Sequence, residues 1–505
     1  MKGKVWLVGA GPGDIGLFTL KGKQVLQQAD VVVFDALVGQ SILGLIPESA
    51  RTIYAGKRSG NHALSQDEIN QVLLDEALKG NKVVRLMGGD PFLFGCGGEE
   101  LELLAEHDVP YEIIPGITSA IAVPAYNGIP VTHRDYCSSV HIITGRRRES
   151  SGFDIDYEAL VRTGGTLVFL TGIAALSDIC TGLMTAGMDS ATPAAVLERG
   201  TTASQHRICA TLGTLEAICA TTEVLTPAII IVGRVCSLAE CFAWAEKRAL
   251  NGIKVILTRP REFTSGMAAL LREKGAEVLE IPAIRFEAVN SKAPLHQAIN
   301  RMKTGGYDWV VFTSQSAVRI FCRELMEISD IRAFCQVKIA AIGQGTQNAL
   351  RELGVKADFL PSVSDGETLG TELYRRCAPD ARILIPRSAS GGQELIQELE
   401  RDGRLIDDIP IYHTVYSVSC LLDIRTVLEE DNCFAVFTSA STVTGFAESI
   451  SGIDYRKIRA VCIGKQAGEA ARALGMQIWI ADKATQEALT KELEEAAGGK
   501  PPIKE

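Results

Sequence analysis

Arg85-Leu86-Met87-Gly88-Gly89-Asp90-Pro91-Phe92-Leu93-Phe94-Gly95-Cys96-Gly97-Gly98-Glu99-Glu100 is the stretch on which the reading of this chain turns. Five glycines, a proline and an aspartate follow the apolar run Val83-Val84 and precede the helix-like Glu99-Glu100-Leu101-Glu102-Leu103-Leu104. A strand that opens into such a loop lets the backbone approach a neighbour closely, because glycine carries no Cβ. Loops held between a rigid strand and a helix carry function more often than loops elsewhere, so the stretch reads as a ligand loop. A glycine-rich surface turn is the alternative with the same composition.

A second glycine loop, Gly9-Ala10-Gly11-Pro12-Gly13-Asp14, directly follows the strand candidate Val5-Trp6-Leu7-Val8. Asp14 stands where a dinucleotide fingerprint would have its third glycine, so this is a bare G-x-G and a weak signal alone. From Lys4 to about Gly116 apolar runs alternate with amphipathic stretches: Val5 to Val8, Leu17 to Gln28, Val31 to Phe34, Ser65 to Leu78 and Val83 to Leu86. This predicts an α/β layer with a mostly parallel sheet. Both glycine loops, and Asp35 after Val31 to Phe34, fall at the carboxyl ends of strands, where such sheets bind ligands. A second α/β unit is predicted after Gly116 to Gly128, with strands at Val140 to Thr144, Thr166 to Leu170 and Ala228 to Val232 and a strand-to-turn transition at Ala194 to Thr202.

With 505 residues the chain is too long for one core, and roughly 100 to 200 residues per domain predicts three or four domains. No apolar run approaches the roughly 18 residues that span a bilayer, and Met1-Lys2-Gly3-Lys4 leads into a strand rather than a signal peptide. The expectation is a cytoplasmic protein with no membrane partner. Thirteen scattered cysteines with no C-x-x-C, and seven histidines with no H-E-x-x-H, predict neither a disulfide framework nor a bound metal. A net charge of -10 argues against nucleic acid. Lys57-Arg58, Arg85, Arg134 and Arg146-Arg147-Arg148 would serve an anionic small substrate, or are solvated faces.

At Trp244 to Gly252 the pattern changes, and a fresh strand follows at Lys254 to Leu257, which marks a domain boundary. Beyond it lies a repeat. Phe312-Thr313-Ser314 recurs as Phe437-Thr438-Ser439, 125 positions on, and Ala341-Ile342-Gly343 as Cys462-Ile463-Gly464, 121 positions on. Two long copies predict a two-lobed α/β protein with a cleft rather than a solenoid.

The first half, Lys4 to about Leu238, resembles the tetrapyrrole methyltransferases, specifically the uroporphyrinogen-III C-methyltransferases. The resemblance rests on the G-A-G-P-G-D opening, the G-G-D-P-F loop and Pro115-Gly116-Ile117-Thr118-Ser119-Ala120. It implies S-adenosylmethionine as cofactor, a homodimer, and a cofactor pocket drawn from Pro12, Gly88, Gly89, Asp90, Leu93, Thr118, Ser119, Thr171 and Gly200, although each glycine alone would equally suit a tight turn. The second half, Ile253 to Leu493, resembles uroporphyrinogen-III synthase through Leu257-Thr258-Arg259-Pro260, both F-T-S segments, both I-G segments and Ile411-Tyr412-His413-Thr414. The two resemblances support each other, because the synthase makes the methyltransferase's substrate. The fold class they imply is α/β: a two-unit tetrapyrrole methylase domain, residues 1–248 (units about 1–116 and 117–248), then a bilobal synthase domain, residues 252–495. Its lobe one would be about 252–286 plus 414–495 and lobe two about 289–410, with crossover strands near Ala283 to Val289 and Ile409 to Val415. The tail Ala496 to Glu505, with Gly-Gly and Pro-Pro, is expected to be disordered.

By resemblance, Asp35 would accept the proton that the methylated macrocycle must lose, and Lys57 would neutralise a substrate carboxylate or donate a proton; a surface ion pair is the alternative for either. Arg85, Arg134 and Lys57 are the expected forks for the eight substrate carboxylates. In the synthase half Thr313, Ser314, Thr438 and Ser439 are expected to bind substrate, and Tyr412 to assist the leaving hydroxyl unless it is a strand tyrosine packing between lobes. Three positions depart from the methylase pattern: Met87 replaces lysine, Cys96 replaces arginine and Thr171 replaces methionine. Two lost cations weaken carboxylate binding; Cys96 as a nucleophile would lack a histidine nearby in sequence. The implied function is bifunctional, with hydroxymethylbilane and uroporphyrinogen III as substrates, precorrin-2 as product, and sirohaem or cobalamin as destination. The alternatives are a methylase of a later corrin intermediate, or one half reduced to a tetrapyrrole-binding module.

Overall fold

The computed structural model describes residues 2–56, 64–145, 155–259, 265–401, 403–416, 424–428, 430, 432–450 and 452–503. The chain forms two compact units, residues 1–282 with 418–505, and residues 283–417. No helix among the described residues is long and apolar enough to cross a membrane.

The first sheet contains β1 (Lys4–Gly9), β2 (Val31–Phe34), β3 (Arg51–Tyr54), β4 (Lys82–Met87) and β5 (Tyr111–Ile114), in the order β3-β2-β4-β1-β5 and parallel throughout. Both faces are covered, which is why its strands read as unbroken apolar runs. Val8, Val32, Phe34, Val84 and Leu86 enter one core, and Val5, Leu7, Val31, Val33 and Val83 the other. Fully buried leucines such as Leu7 and Leu86 each contribute about 1.5–3 kcal/mol. Helix Gln66–Leu78 begins at a reciprocal cap, in which Ser65 Oγ accepts from Glu68 N and the Glu68 carboxylate from Ser65 N. β4 and β1 are neighbours although 78 residues separate their paired starts Lys4 and Lys82, so the glycine loops that follow them lie side by side.

The second sheet contains β6 (Val140–Thr144), β7 (Thr166–Leu170), β8 (Pro193–Glu198), β9 (His206–Thr211) and β10 (Ala228–Val232), in the order β6-β7-β10-β8-β9. β6 and β7 are parallel, whereas β10 runs antiparallel to β7 and β8, and β8 to β9. A third sheet opens with β11 (Lys254–Leu257) and β12 (Glu277–Glu280). The chain then builds the second unit around β13 (Ile284–Ala288), β14 (Trp309–Phe312), β15 (Lys338–Ala341), β16 (Arg382–Ser388) and β17 (Leu405–Tyr416), ordered β13-β17-β16-β14-β15. β13 and β17 pair antiparallel, Phe286 opposite Thr414; the rest are parallel. Finally β18 (Cys433–Phe437), β19 (Arg459–Cys462) and β20 (Gln477–Ile480) complete the third sheet, β12-β11-β18-β19-β20, all parallel.

The repeated Phe-Thr-Ser has a structural cause in both copies: the phenylalanine ends a buried strand and the serine caps the next helix. Ser314 Oγ accepts from Ala317 N at 3.0 Å, and Ser439 Oγ from Thr442 N at 3.3 Å. The tail differs from its sequence expectation. Lys500 O accepts from Trp479 Nε1 and Ile503 N donates to Ile478 O, both at 2.9 Å, while Lys500 Nζ pairs with Glu492 and Glu495 at 2.8 Å. Composition alone misses such docking onto the edge strand β20.

At the carboxyl ends of β1, β4 and β5, three glycines crowd together. A Cβ on Gly9 would stand 2.5 Å from Gly116 Cα and 2.7 Å from Gly89 O, and one on Gly116 would overlap Gly89 O. Because the atoms met are backbone, Gly116→Ala is expected to cost about 3 kcal/mol. Gly98→Ala, where nothing lies within 4 Å, should leave stability equal or raise it by about 0.5 kcal/mol. Calorimetric melting of the two variants checks the contrast.

Candidate functional site

The glycine crossing joins three loops into one platform. Ala10 N donates to Met87 O at 2.7 Å, and Gly11 and Gly89 exchange backbone hydrogen bonds at 3.1 and 2.8 Å. The Asp90 carboxylate accepts from Phe92 N (2.9 Å) and Leu93 N (3.1 Å) through Oδ1, and from Gly116 N (2.9 Å) through Oδ2. Asp90 therefore holds the loop in shape. Gly89 has φ 68° with nothing within 4 Å of where a Cβ would be, so it presents bare backbone to open space. This fits a cofactor bound by peptide groups. Gly88 is different, since a Cβ there would overlap Leu37 Cβ. The Asp35 loop thus lies against the platform.

Thr118 caps helix Ser119–Tyr126 by accepting from Ala120 N at 3.2 Å. That helix packs Ala120 and Val123 onto Val168, Leu170, Ala195 and Leu197 of the second sheet, with Leu93 against the same core. A Cβ on Gly200 would overlap Val123, so the loop after β8 also sits on this helix. Thr201 Oγ1 accepts from Asp14 N at 3.1 Å, which ties that loop to Pro12 and Gly13. Pro12, Gly88, Gly89, Asp90, Leu93, Thr118, Ser119 and Gly200 are thereby linked through loops and one helix. Thr171 stands at the end of β7 with φ 54°, its hydroxyl donating to Leu170 O at 2.7 Å.

Beside the platform lies a buried charge cluster. Arg85, 4% exposed, donates from Nε to Glu100 Oε1 at 3.0 Å and from Nη1 to Leu86 O at 3.2 Å, and lies 3.7 Å from Asp35 Oδ2. The Glu100 side chain is 0% exposed, and its Oε2 has no hydrogen-bond partner among the described residues. Burial pushes the Asp35 carboxyl above its ordinary value, against the Arg85 charge and the amides of Leu37, Gly88 and Val38, which pull it down. The expectation that Arg85 grips a substrate carboxylate is corrected here. Its guanidinium is buried and lies against two carboxylates of its own chain, hydrogen-bonded to Glu100 and 3.7 Å from Asp35. Glu100 was not anticipated from sequence. Its signal is the spacing Gly97, Glu100, Leu104, which places a carboxylate on the buried face of helix Gly97–Glu106.

Lys57 lies outside the described residues, as do Arg58 and Arg146 to Arg148. Arg134 is exposed. Met87 is 4% exposed at the end of β4, and Cys96 is partly buried, directly preceding helix Gly97–Glu106.

In the second unit the Tyr412 hydroxyl lies 3.0 Å from Ser314 Oγ, and its ring, 4% exposed, meets Phe286 edge-on at 5.1 Å. Tyr412, expected either to assist the leaving hydroxyl or to pack as a strand tyrosine, is a core residue of that unit, beside the partly buried Thr313 and Ser314. Thr438 and Ser439, in the other unit, follow β18, where Ser439 Oγ lies 2.9 Å from Ser441 Oγ. The fold also gathers His296, Glu324 and Glu327, whose potential ligand atoms lie within 4.8 Å of one another. Lys292 Nζ is already there, 2.7 Å from Glu324 and 3.7 Å from Glu327.

Two family models match the chain: tetrapyrrole (corrin/porphyrin) methylases over residues 4–216, and uroporphyrinogen-III synthase HemD over residues 265–491. The porphyrin biosynthesis protein HemD of Ruminiclostridium josui is 41% identical over 499 residues, 98% of this chain and 99% of that one. The uroporphyrinogen-III C-methyltransferase of Bacillus subtilis is 39% identical over 354 residues, 70% of this chain and 72% of that one. Among solved structures, the uroporphyrin-III C-methyltransferase of Thermus thermophilus complexed with S-adenyl homocysteine is 38% identical, covering 46% of this chain and 99% of that one with a TM-score of 0.41. Alignment over essentially its whole length with a relative of the same span, and one family model on each half, mean that this chain belongs to the family in which a tetrapyrrole methylase domain precedes a HemD-type uroporphyrinogen-III synthase domain.

Proposed function

We propose that the second half closes hydroxymethylbilane to uroporphyrinogen III and that the first half methylates this product twice, giving precorrin-2. The observation that carries the methylase reading is the glycine platform at Gly9, Gly89 and Gly116 with the half-buried Asp35 beside it. When bound there, S-adenosylmethionine supplies an electrophilic methyl group on sulfonium sulfur. Pro12, Gly88, Gly89, Asp90, Leu93, Thr118, Ser119, Thr171 and Gly200 would form its pocket, in which bare peptide groups bind and apolar neighbours exclude water.

The chain's own chemical contribution is proton transfer. Methylation leaves the ring carbon quaternary and the macrocycle cationic, so a proton must leave from elsewhere on the macrocycle; an Asp35 oxygen takes it, and its raised affinity for protons makes it a stronger base than an exposed aspartate. Arg85 keeps enough of the carboxyl ionised for that role, and Glu100 holds Arg85. Lys57 and Arg134 are assigned to substrate carboxylates. In the synthase half, Thr313, Ser314, Thr438 and Ser439 present hydroxyls that would bind propionate and acetate groups. Leu37, Phe92, Phe94, Ile117 and Ile121 are exposed by 37–57% around the methylase loops, which supports a homodimer through this half.

Purified protein given hydroxymethylbilane is expected to yield uroporphyrinogen III without the methyl donor and a doubly methylated product with it, identified by mass and isomer. Isomer III that stays unmethylated would mean that Met87 and Cys96 have removed activity on this substrate, and methylation of a later corrin instead would favour the alternative substrate. Asp35→Asn should lower methyl transfer by about 10²- to 10⁴-fold while cyclisation persists. In the wild type, methylation should fall with decreasing pH at a value above the ordinary aspartate 3.8. Because burial raises the folded-state value, Asp35's contribution to stability is fully present below the unfolded value and is lost as pH rises through the folded one. Asp35→Asn should therefore melt higher than wild type near neutral pH and lose that advantage towards pH 4, as melting curves across pH would record.

A further inference from the structure

β12 is an edge strand of the third sheet, and helix Gln40–Leu43, which follows the Asp35 loop, packs against it. Its first residue, Glu277, lies within the HemD-matched residues, yet its Oε2 accepts at 2.9 Å from Ala203 N, within the methylase-matched residues. Ala203 belongs to the loop between β8 and β9 that contains Gly200. In this loop Arg199 and Thr201 have φ 42° and 68°. Side-chain-bearing residues, a β-branched one above all, keep such conformations only where their surroundings fix them. Here Thr202 Oγ1 donates to Arg199 O at 2.7 Å, Thr201 N donates to Gln205 Oε1 at 2.8 Å, and Glu277 holds Ala203.

The constraint passes onward. Thr201 Oγ1 accepts from Asp14 N, Asp14 Oδ2 accepts from the Tyr126 hydroxyl at 2.8 Å, and Gln205 Nε2 donates to Tyr126 O at 3.2 Å. A Cβ on Gly13 would stand 3.0 Å from Thr201 Oγ1, so the two loops are in contact. A carboxylate accepting from a backbone amide is a stronger tie than a neutral acceptor.

We propose that Glu277 is a positioning residue for methyl-donor binding: a side chain of the synthase half fixes the Gly200 and Pro12 loops of the methylase half. The inference rests on the reading that those loops hold S-adenosylmethionine. The test measures S-adenosylhomocysteine affinity by titration calorimetry on the full chain, with hydroxymethylbilane cyclisation and melting as controls for folding. Glu277→Ala should weaken binding about tenfold and raise KM for S-adenosylmethionine with much less change in kcat. Glu277→Gln, which keeps an acceptor oxygen, should recover most of the loss, and cyclisation should be unchanged in both. Thr201→Val removes the next acceptor in the relay and should weaken binding in the same direction, which keeps the test decisive if Glu277→Ala does not fold. Wild-type affinity in a folded Glu277→Ala or Thr201→Val variant overturns the inference alone. A wild-type protein that binds no S-adenosylhomocysteine overturns the methylase reading and the inference with it.

Discussion

The approach of Gly9, Gly89 and Gly116 is the constraint on which the methylase half depends. Three strand ends converge until no side-chain carbon fits between them, and the peptide groups then bond one another across the gap. The consequences spread in order. Asp90 saturates the amides of the turn and reaches Gly116, Gly88 leaves room for Leu37, and Leu37 brings the Asp35 loop alongside. Gly116 then leads into helix Ser119–Tyr126, which reaches the core of the second sheet. A contact that looks purely steric thus determines where two loops, one carboxylate and one helix stand.

The charges next to this platform follow from it. Arg85, on β4, is held in the interior, and among the described residues two carboxylates, Glu100 and Asp35, share its one guanidinium. Desolvation penalises the charged forms, and the carboxylate farther from the cation, Asp35 at 3.7 Å, is poorly compensated. The Asp35 side chain is also the most open of the three, 23% exposed. A carboxyl that is both accessible and reluctant to ionise is suited to taking up a proton, whereas the shielded pair of Arg85 and Glu100 is suited to holding it in place.

The parts of this architecture legible in sequence are those set by local periodicity. Buried parallel strands show as Val31-Val32-Val33-Phe34 and Val83-Val84, strand ends show as glycine loops, and the Phe-Thr-Ser repeat shows because one strand-to-cap solution is used twice. Side-chain direction is not local, and there the sequence leaves more open. Arg85 reads as an available cation, but its place in a strand covered on both faces turns it to Glu100. Tyr412 reads equally as a group for the leaving hydroxyl or as a packing strand tyrosine, and pairing of β17 with β13 sets its ring against Phe286. The tail reads as disordered from Gly-Gly and Pro-Pro, but Trp479 and Ile478 supply partners that composition does not encode.

The junction between the two matched regions illustrates how a fusion solves a general problem of β-sheets. An edge strand carries unpaired backbone groups that invite association with other chains, and proteins cover or blunt such edges. β12 is the edge of the third sheet, and the methylase helix Gln40–Leu43 lies against it. The covering element gains in turn, because Glu277 on that strand satisfies a backbone amide in a loop containing two left-handed side-chain-bearing residues. Each partner thus supplies what the other's fold leaves unfinished: cover for an edge in one direction and an anchor for a strained loop in the other. Joining the two in one chain keeps both contacts intramolecular, so neither depends on the concentration of a separate partner.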